Sequence, residues 1–170
     1  MSREALFAAL RQICGSDALA LDAAALEQAR HDVHESGGAP IAVLSPPDSA
    51  ALGGAVAAIT GHGVAVVPRG GGLSYTGGYV LPEGGAVLID LSRMNRVVAI
   101  DADSMTVTVE AGATWKAIDQ ALAQRGLRLP FFGTFSGAGA TVGGGLSHGA
   151  LFFGSARHGS AADIVLSMDV

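Results

Sequence analysis

The stretch Val64-Ala65-Val66-Val67-Pro68-Arg69-Gly70-Gly71-Gly72-Leu73-Ser74-Tyr75 contains the pattern from which the rest of the chain can be interpreted. An apolar, β-branched run ends at a proline and opens into three consecutive glycines. Residues without Cβ let a backbone turn tightly and come close to a ligand. Successive backbone N–H groups that point into one concavity bind an anion without a lysine. The stretch therefore predicts a strand that leads into an anion-binding loop.

The residues before this stretch predict a parallel βαβ unit. Residues 41–44 have the pattern of a short buried strand, and Asp48 or Ser49 can cap a helix that ends near Gly61. Val64–Val67 is then the next strand. Ligands in such sheets gather at the carboxyl ends of the strands, so the glycine loop lies where a cofactor is expected.

The N-terminal residues predict two helices followed by a polar connection. Residues 2–30 have a helical pattern, with Ser2 and Asp22 as caps. The connection contains four residues that can also be drawn as a metal site: His31, Asp32, His34 and Glu35. We expect a solvated loop and no metal, because a metal site usually takes a further ligand from a defined element.

The pattern changes to hairpins in the second half of the chain. Ala86–Asp90 is a third buried strand, and strands are predicted at 97–100 and 105–109 around a turn. The last of these alternates, with apolar residues at 105, 107 and 109, as a half-buried antiparallel strand does. Thr114 caps a helix, and we expect Trp115 on its apolar face to lie in the core.

A second glycine-rich stretch covers residues 133–149, and a final strand is predicted at 164–170. Few side chains in the glycine-rich stretch are larger than a methyl group, so its backbone can line a cofactor. Low complexity is the alternative interpretation. We reject it because Thr141, Leu146 and His148 break any repeat.

The composition argues against several classes of partner. The net charge is −5, aromatic residues make up 5% of the chain, and Lys116 is the single lysine, which disfavours nucleic acid and anionic membranes. Cys14 is the single cysteine, so no intrachain disulfide can form. No secretory leader is evident and no apolar stretch approaches roughly 18 residues, so we expect a cytoplasmic protein without membrane insertion.

The standard nucleotide-binding motifs do not match. The G-x-G-x-x-G fingerprint fails because Tyr75 and His148 stand where each third glycine belongs. The phosphate loop of nucleoside triphosphatases needs a lysine after its last glycine, and Gly78 stands there instead. Two glycine stretches remain, which is what a long dinucleotide held by two subdomains would need.

Three segments together resemble a known family: Pro68–Gly78, Val109–Gly112 and Ala140–Ser147. They are similar to the FAD domain of the vanillyl-alcohol oxidase / p-cresol methylhydroxylase family, and most similar to its branch of glycolate oxidase and D-lactate dehydrogenase-like proteins. Residues 157–166 also resemble a later segment of that domain, so the resemblance covers roughly residues 38–170.

The resemblance implies an α+β, PCMH-type FAD-binding fold in which two subdomains clamp FAD. An N-terminal helical segment (1–37) would precede a first, parallel subdomain (38–92) and a second, antiparallel one (93–170). We expect the second to be incomplete and a substrate or cap domain to be absent, because family members continue further.

The resemblance also implies which residues bind the cofactor. The first loop would hold the pyrophosphate by its backbone amides, and the second stretch and Gly159 would line the rest of FAD. The predicted FAD-binding residues are Arg69, Gly70, Gly71, Gly72, Leu73, Ser74, Ser136, Gly137, Thr141, Gly144, Ser147 and Gly159. Some members attach FAD through a histidine at the position of Leu73, so non-covalent FAD is expected here.

The family implies oxidation of an alcohol or 2-hydroxy acid by hydride transfer to flavin N5, with a small-molecule substrate and an electron acceptor as partners. Whether the full-length protein is a homodimer is left open. The alternative is a truncated, catalytically inactive FAD-binding or scaffold fragment. The catalytic residues are unassigned: His148 and His158 are candidates, against the alternative that both are polar loop residues.

Overall fold

The computed structural model describes residues 2–83, 85–130 and 135–170, apart from the side chains of residues 135 and 136. The chain divides into two compact units, Met1–Met94 and Asn95–Val170. Both units combine helices with β-strands, which agrees with the predicted α+β class. The subdomain boundaries expected from the sequence stay predictions.

The first unit contains a four-stranded sheet. Its strands are β1 (Leu19–Ala20), β2 (Ala42–Leu44), β3 (Val66–Arg69) and β4 (Val87–Asp90), in the order β1-β2-β4-β3. β4 is parallel to both β2 and β3, and β1 is antiparallel to β2. The predicted parallel arrangement is confirmed, with β4 inserted between the two strands that the crossover helix connects.

Three capped helices belong to this unit: α1 (Arg3–Cys14), α2 (Ala23–Ala29) and α3 (Ser49–Gly61). Their N-caps are Ser2, Asp22 and Asp48, and each side chain accepts a hydrogen bond from the N–H three residues later. Such caps satisfy backbone donors that have no partner inside the helix. The helix starts predicted at Ser2 and Asp22 are confirmed, and of the two candidate caps Asp48 and Ser49 the structure has Asp48.

The core of the first unit lies on both faces of β4, because successive side chains of a strand point to opposite faces. Val87 and Ile89 pack in one cluster with residues of α1 and α3. Leu88 packs in another cluster with Ala29 and Tyr79. A strand covered on both faces reads as a continuous apolar run, and residues 86–89 show that pattern.

Two details of the first unit differ from the sequence-based prediction. Residues 2–30 are not helical throughout, because Leu19 and Ala20 form β1 against β2; two residues are too few to show a period. β3 begins at Val66 rather than Val64 and continues through Pro68 to Arg69. A proline is tolerated there because β3 is the edge strand of the sheet.

The second unit consists of a hairpin and helices. Its elements are β5 (Val97–Asp101), β6 (Thr106–Val109), α4 (Trp115–Ala123), α5 (Val142–Ser147) and α6 (Ser155–His158). β5 and β6 pair antiparallel, as predicted. The buried side chains of Ile118 and Leu122 pack against this hairpin, and Thr114 caps α4 as predicted.

Two expectations for the second unit are wrong. Met105 does not belong to the apolar face of the hairpin: it has φ 55° in the turn and is 72% exposed. Residues 164–170 do not form a strand, since Ile164 ends a 3₁₀ turn and the following residues join no sheet. Local alternation predicts extended backbone, but only a pairing partner makes a strand.

Helix α1 offers a test of the first core. We expect Leu10→Ala to lower the free energy of unfolding by about 2–5 kcal/mol, because it leaves a cavity beneath α1. Ile13→Ala is the matched control, since Ile13 is 37% exposed whereas Leu10 is fully buried. Urea unfolding of both variants would contradict this packing if the two losses were equal.

Candidate functional site

The first glycine loop follows β3 at the carboxyl end of the parallel sheet. In the part of the chain that the structure describes, the backbone N–H groups of residues 70–74 donate no hydrogen bond. Five consecutive amides are therefore available to an anion, without displacing any bond of the fold. The pyrophosphate site that the sequence predicts at this loop stays a prediction.

Arg69 lies beneath this loop rather than extending away from it. Its Nη1 donates to Oδ2 of Asp90 over 3.1 Å, and the two residues are register partners on adjacent strands. The guanidinium also lies over the ring of Tyr79, with 5.5 Å between Cζ and the ring centroid. Asp90 and the Tyr79 ring fix the position of a positive charge under the loop, with the Arg69 side chain 19% exposed.

The position of the Arg69 guanidinium requires a glycine at residue 72. Its φ is +70°, which a side chain disfavours. A Cβ at this position would come within 2.9 Å of Cζ of Arg69 and closer still to Nη2. The absence of a side chain at residue 72 thus lets the backbone rest directly on the guanidinium.

A turn at residues 31–36 holds the same loop from the side. Oδ1 of Asp32 accepts from the N–H groups of His34 and Glu35, and Oδ2 accepts from Gly77 over 2.8 Å. The N–H of Val33 donates to the carbonyl of Ser74 over 3.1 Å. The bond from the Glu35 N–H, helped by those from His34 and Gly77, lowers the pKa of Asp32 from its usual value.

Tyr79 connects the turn and the loop a second time. Its hydroxyl lies 2.7 Å from the carbonyl oxygen of His31 and 3.1 Å from that of Gly72, and it donates its one proton between them. Sequence analysis missed Asp32, Tyr79 and Asp90 as parts of this site. Asp32 followed by two polar residues is a recognisable turn pattern, but the bond to Gly77 joins residues 45 apart.

The second glycine stretch is partly helical, and the sequence analysis did not predict this helix. Its glycines 143–145 lie in α5, which Thr141 caps. A Cβ on Gly143 would come within 2.9 Å of the Ala111 carbonyl, and one on Gly145 within 2.9 Å of the Trp115 ring. These two glycines are required for close packing inside the unit.

The residues of the second unit that are predicted to bind FAD differ in burial and in hydrogen bonding. Thr141 is buried, and its hydroxyl accepts from the Gly144 N–H. The hydroxyl of Ser147 donates to the Gly143 carbonyl. Gly159 has φ +81°, and a Cβ at this position would overlap the Asp163 carboxylate. Gly137 lies in a 3₁₀ turn near Trp115. Residues 133 and 134 and the side chain of Ser136 lie outside the described residues.

The candidate catalytic histidines are both on the surface. His148 follows α5 and His158 ends α6, and both side chains are exposed. The two ring nitrogens of His31 form hydrogen bonds with the side chains of Ser36 and Glu27. Among the described residues, no group of three or more His, Cys, Asp or Glu side chains is arranged to hold a metal ion. Nor does any helix in those residues have the length and apolar character to cross a membrane.

Comparison with known families gives the class of protein. Residues 40–170 match the model of the FAD binding domain. The chain therefore belongs to the FAD binding domain family, and the cofactor expected from the sequence is confirmed as FAD.

Two curated relatives agree with the branch that the sequence resembles. D-lactate dehydrogenase [cytochrome], mitochondrial, of Arabidopsis thaliana is 31% identical over 83% of this chain and 24% of its own length. Glycolate oxidase subunit GlcD of Bacillus subtilis is 29% identical over 77% of this chain and 27% of its own length. The chain thus spans about a quarter of the length of these two relatives.

A solved structure shows the same fold. p-Cresol methylhydroxylase with substrate bound superposes with a TM-score of 0.74, 21% identity, and coverage of 87% of this chain and 30% of that one. This likeness confirms the predicted PCMH-type fold.

The contact between Gly72 and Arg69 leads to a prediction with a matched control. Gly72→Ala and Gly63→Ala both place a side chain at a φ near +70°, and each should cost about 1–2 kcal/mol of stability. Nothing lies within 4 Å of a Cβ on Gly63, so only Gly72→Ala displaces Arg69. We expect a greater loss of stability in Gly72→Ala, measured by urea unfolding. Equal losses would contradict the contact.

The single tryptophan reports on the second glycine stretch. Gly145→Ala should lower the free energy of unfolding by about 1–3 kcal/mol and shift the fluorescence of Trp115, because the new methyl group overlaps the ring. Gly137→Ala is the control, since its Cβ would lie at an ordinary 3.8 Å from Cβ of Trp115. Unchanged emission in Gly145→Ala would be evidence against this packing.

Proposed function

We propose that this chain forms the FAD-binding part of a flavin-dependent oxidoreductase that oxidises an alcohol or a 2-hydroxy acid. The observation that carries the proposal is the row of available amides at residues 70–74, with the charge of Arg69 beneath it. FAD carries a diphosphate, and amides plus a fixed cation are what such a group requires. The hydroxy-acid substrate class is supported by the names of the Arabidopsis and Bacillus relatives.

In this proposal the first loop binds the diphosphate through the amides of Gly70 to Ser74. Arg69 contributes charge from below instead of a direct bond, because Asp90 and Tyr79 already hold its guanidinium. The remaining FAD contacts are proposed for Ser136, Gly137, Thr141, Gly144, Ser147 and Gly159. The Gly144 N–H already donates to the Thr141 hydroxyl. In this proposal FAD therefore contacts other atoms of these residues and not that amide.

When bound, FAD would supply the redox chemistry as the hydride acceptor. The residues of this chain bind and orient it. We assign no catalytic role to His148 or His158, since both side chains are exposed. Cytoplasmic location stays a prediction, and the Arabidopsis relative is named as mitochondrial.

FAD titration of the purified 170-residue chain tests the proposal. We expect binding with a flavin absorbance spectrum that survives gel filtration. Folded protein that stays colourless with excess FAD would overturn the proposal. Gly63→Ala is the control for backbone strain alone, because it adds a Cβ at a positive φ outside the loop, where nothing lies within 4 Å of it.

The same sample tests whether attachment is non-covalent. Leu73 has no nucleophilic atom, so acid precipitation should release all flavin into the supernatant. Flavin that stays in the protein pellet would contradict non-covalent binding.

Anaerobic addition of D-lactate or glycolate to the bound form would then test the substrate class, because bleaching of the flavin absorbance reports its reduction.

A further inference from the structure

We propose that Asp32 is a positioning residue for the FAD diphosphate, acting through the first glycine loop. This inference rests on the proposed FAD-binding function and adds to it an element outside the glycine loop itself. We call residues 31–36 the clasp. It precedes strands β2 to β4 in sequence and lies against the glycine loop in space.

The clasp holds the loop at three points. Tyr79 joins His31 to Gly72, the Val33 N–H bonds to the Ser74 carbonyl, and Asp32 accepts from the Gly77 N–H. These points lie within and just after the amides proposed to bind the diphosphate. A loop that is fixed before binding loses less conformational entropy when the ligand arrives.

Asp32 is the residue that determines the shape of the clasp and also connects it to the loop. One carboxylate oxygen closes the turn through the N–H groups of His34 and Glu35 at 2.7 and 2.6 Å. The other oxygen reaches Gly77 at 2.8 Å. Since both oxygens are committed to N–H donors, the negative charge is balanced locally rather than directed at an incoming phosphate.

An asparagine cannot reproduce this arrangement. In native Asp32, both carboxylate oxygens accept hydrogen bonds from backbone N–H groups. In Asp32→Asn one of these oxygens is replaced by an NH₂ group, which can only donate, so it cannot bond the N–H group that it faces. One set of bonds must break, either within the turn or to Gly77. We therefore expect Asp32→Asn to raise the Kd for FAD by about tenfold or more, as loss of a hydrogen bond to a charged group does.

Asp101 provides the matched control. It closes the β5–β6 turn in the same way, with Oδ1 accepting from the N–H groups of Asp103 and Ser104, each at 3.0 Å. In the described residues its carboxylate makes no bond to either glycine stretch. Asp101→Asn should leave the Kd for FAD unchanged.

Two measurements are made on the full 170-residue chain. In Asp32→Asn without ligand, amide exchange by NMR should be faster at Gly77 or at His34 and Glu35, whose N–H groups bond Asp32, and it should be unchanged there in Asp101→Asn. FAD titration then gives the Kd of each variant. A general loss of structure would speed exchange in β4 as well, which distinguishes a positioning role from global destabilisation.

Tyr79→Phe is the second variant in case Asp32→Asn does not fold. It keeps the ring beside Arg69 but removes the hydroxyl that joins His31 to Gly72, so it too should raise the Kd for FAD. The positioning role is overturned if exchange at Gly77, His34 or Glu35 is faster but the Kd is unchanged, or if exchange changes at none of the three. Failure of the unmodified chain to bind FAD would refute the proposed function instead, and the exchange data would still test the clasp.

Discussion

The contact on which the first unit depends is the one between the Arg69 guanidinium and its three neighbours. Asp90 fixes the charge from the adjacent strand, the Tyr79 ring covers it, and Gly72 rests on it. Because Arg69 and Asp90 are register partners, parallel pairing itself brings the ion pair together at the carboxyl end of the sheet. The loop above is then held close to a positive charge.

Glycine has different tasks in the two units. At residue 72 it permits both a positive φ and contact with a guanidinium, which leaves neighbouring amides available. At residues 143 and 145 it permits a short helix to approach Ala111 and Trp115. Similar composition therefore leaves a row of unbonded amides in one unit and permits close internal packing in the other.

The sequence predicted the helices whose caps are local, because a cap bonds an N–H three residues away and needs nothing more distant. Ser2, Asp22, Asp48 and Thr114 all behave in this way. It also predicted the buried run of β4. It failed at β1 and at residues 164–170, where strand formation depends on a partner and not on the pattern of the segment itself.

For the candidate site, the sequence by itself determined the family and the cofactor, because several motifs in a fixed order along the chain carry them. Only the tertiary structure decided how the loop is held. Asp32 and Gly77 lie 45 residues apart, and Arg69 and Asp90 lie 21 apart, so no local pattern relates them. Hydrogen bonds and ion pairs depend on distance in space, which the fold sets and linear spacing does not.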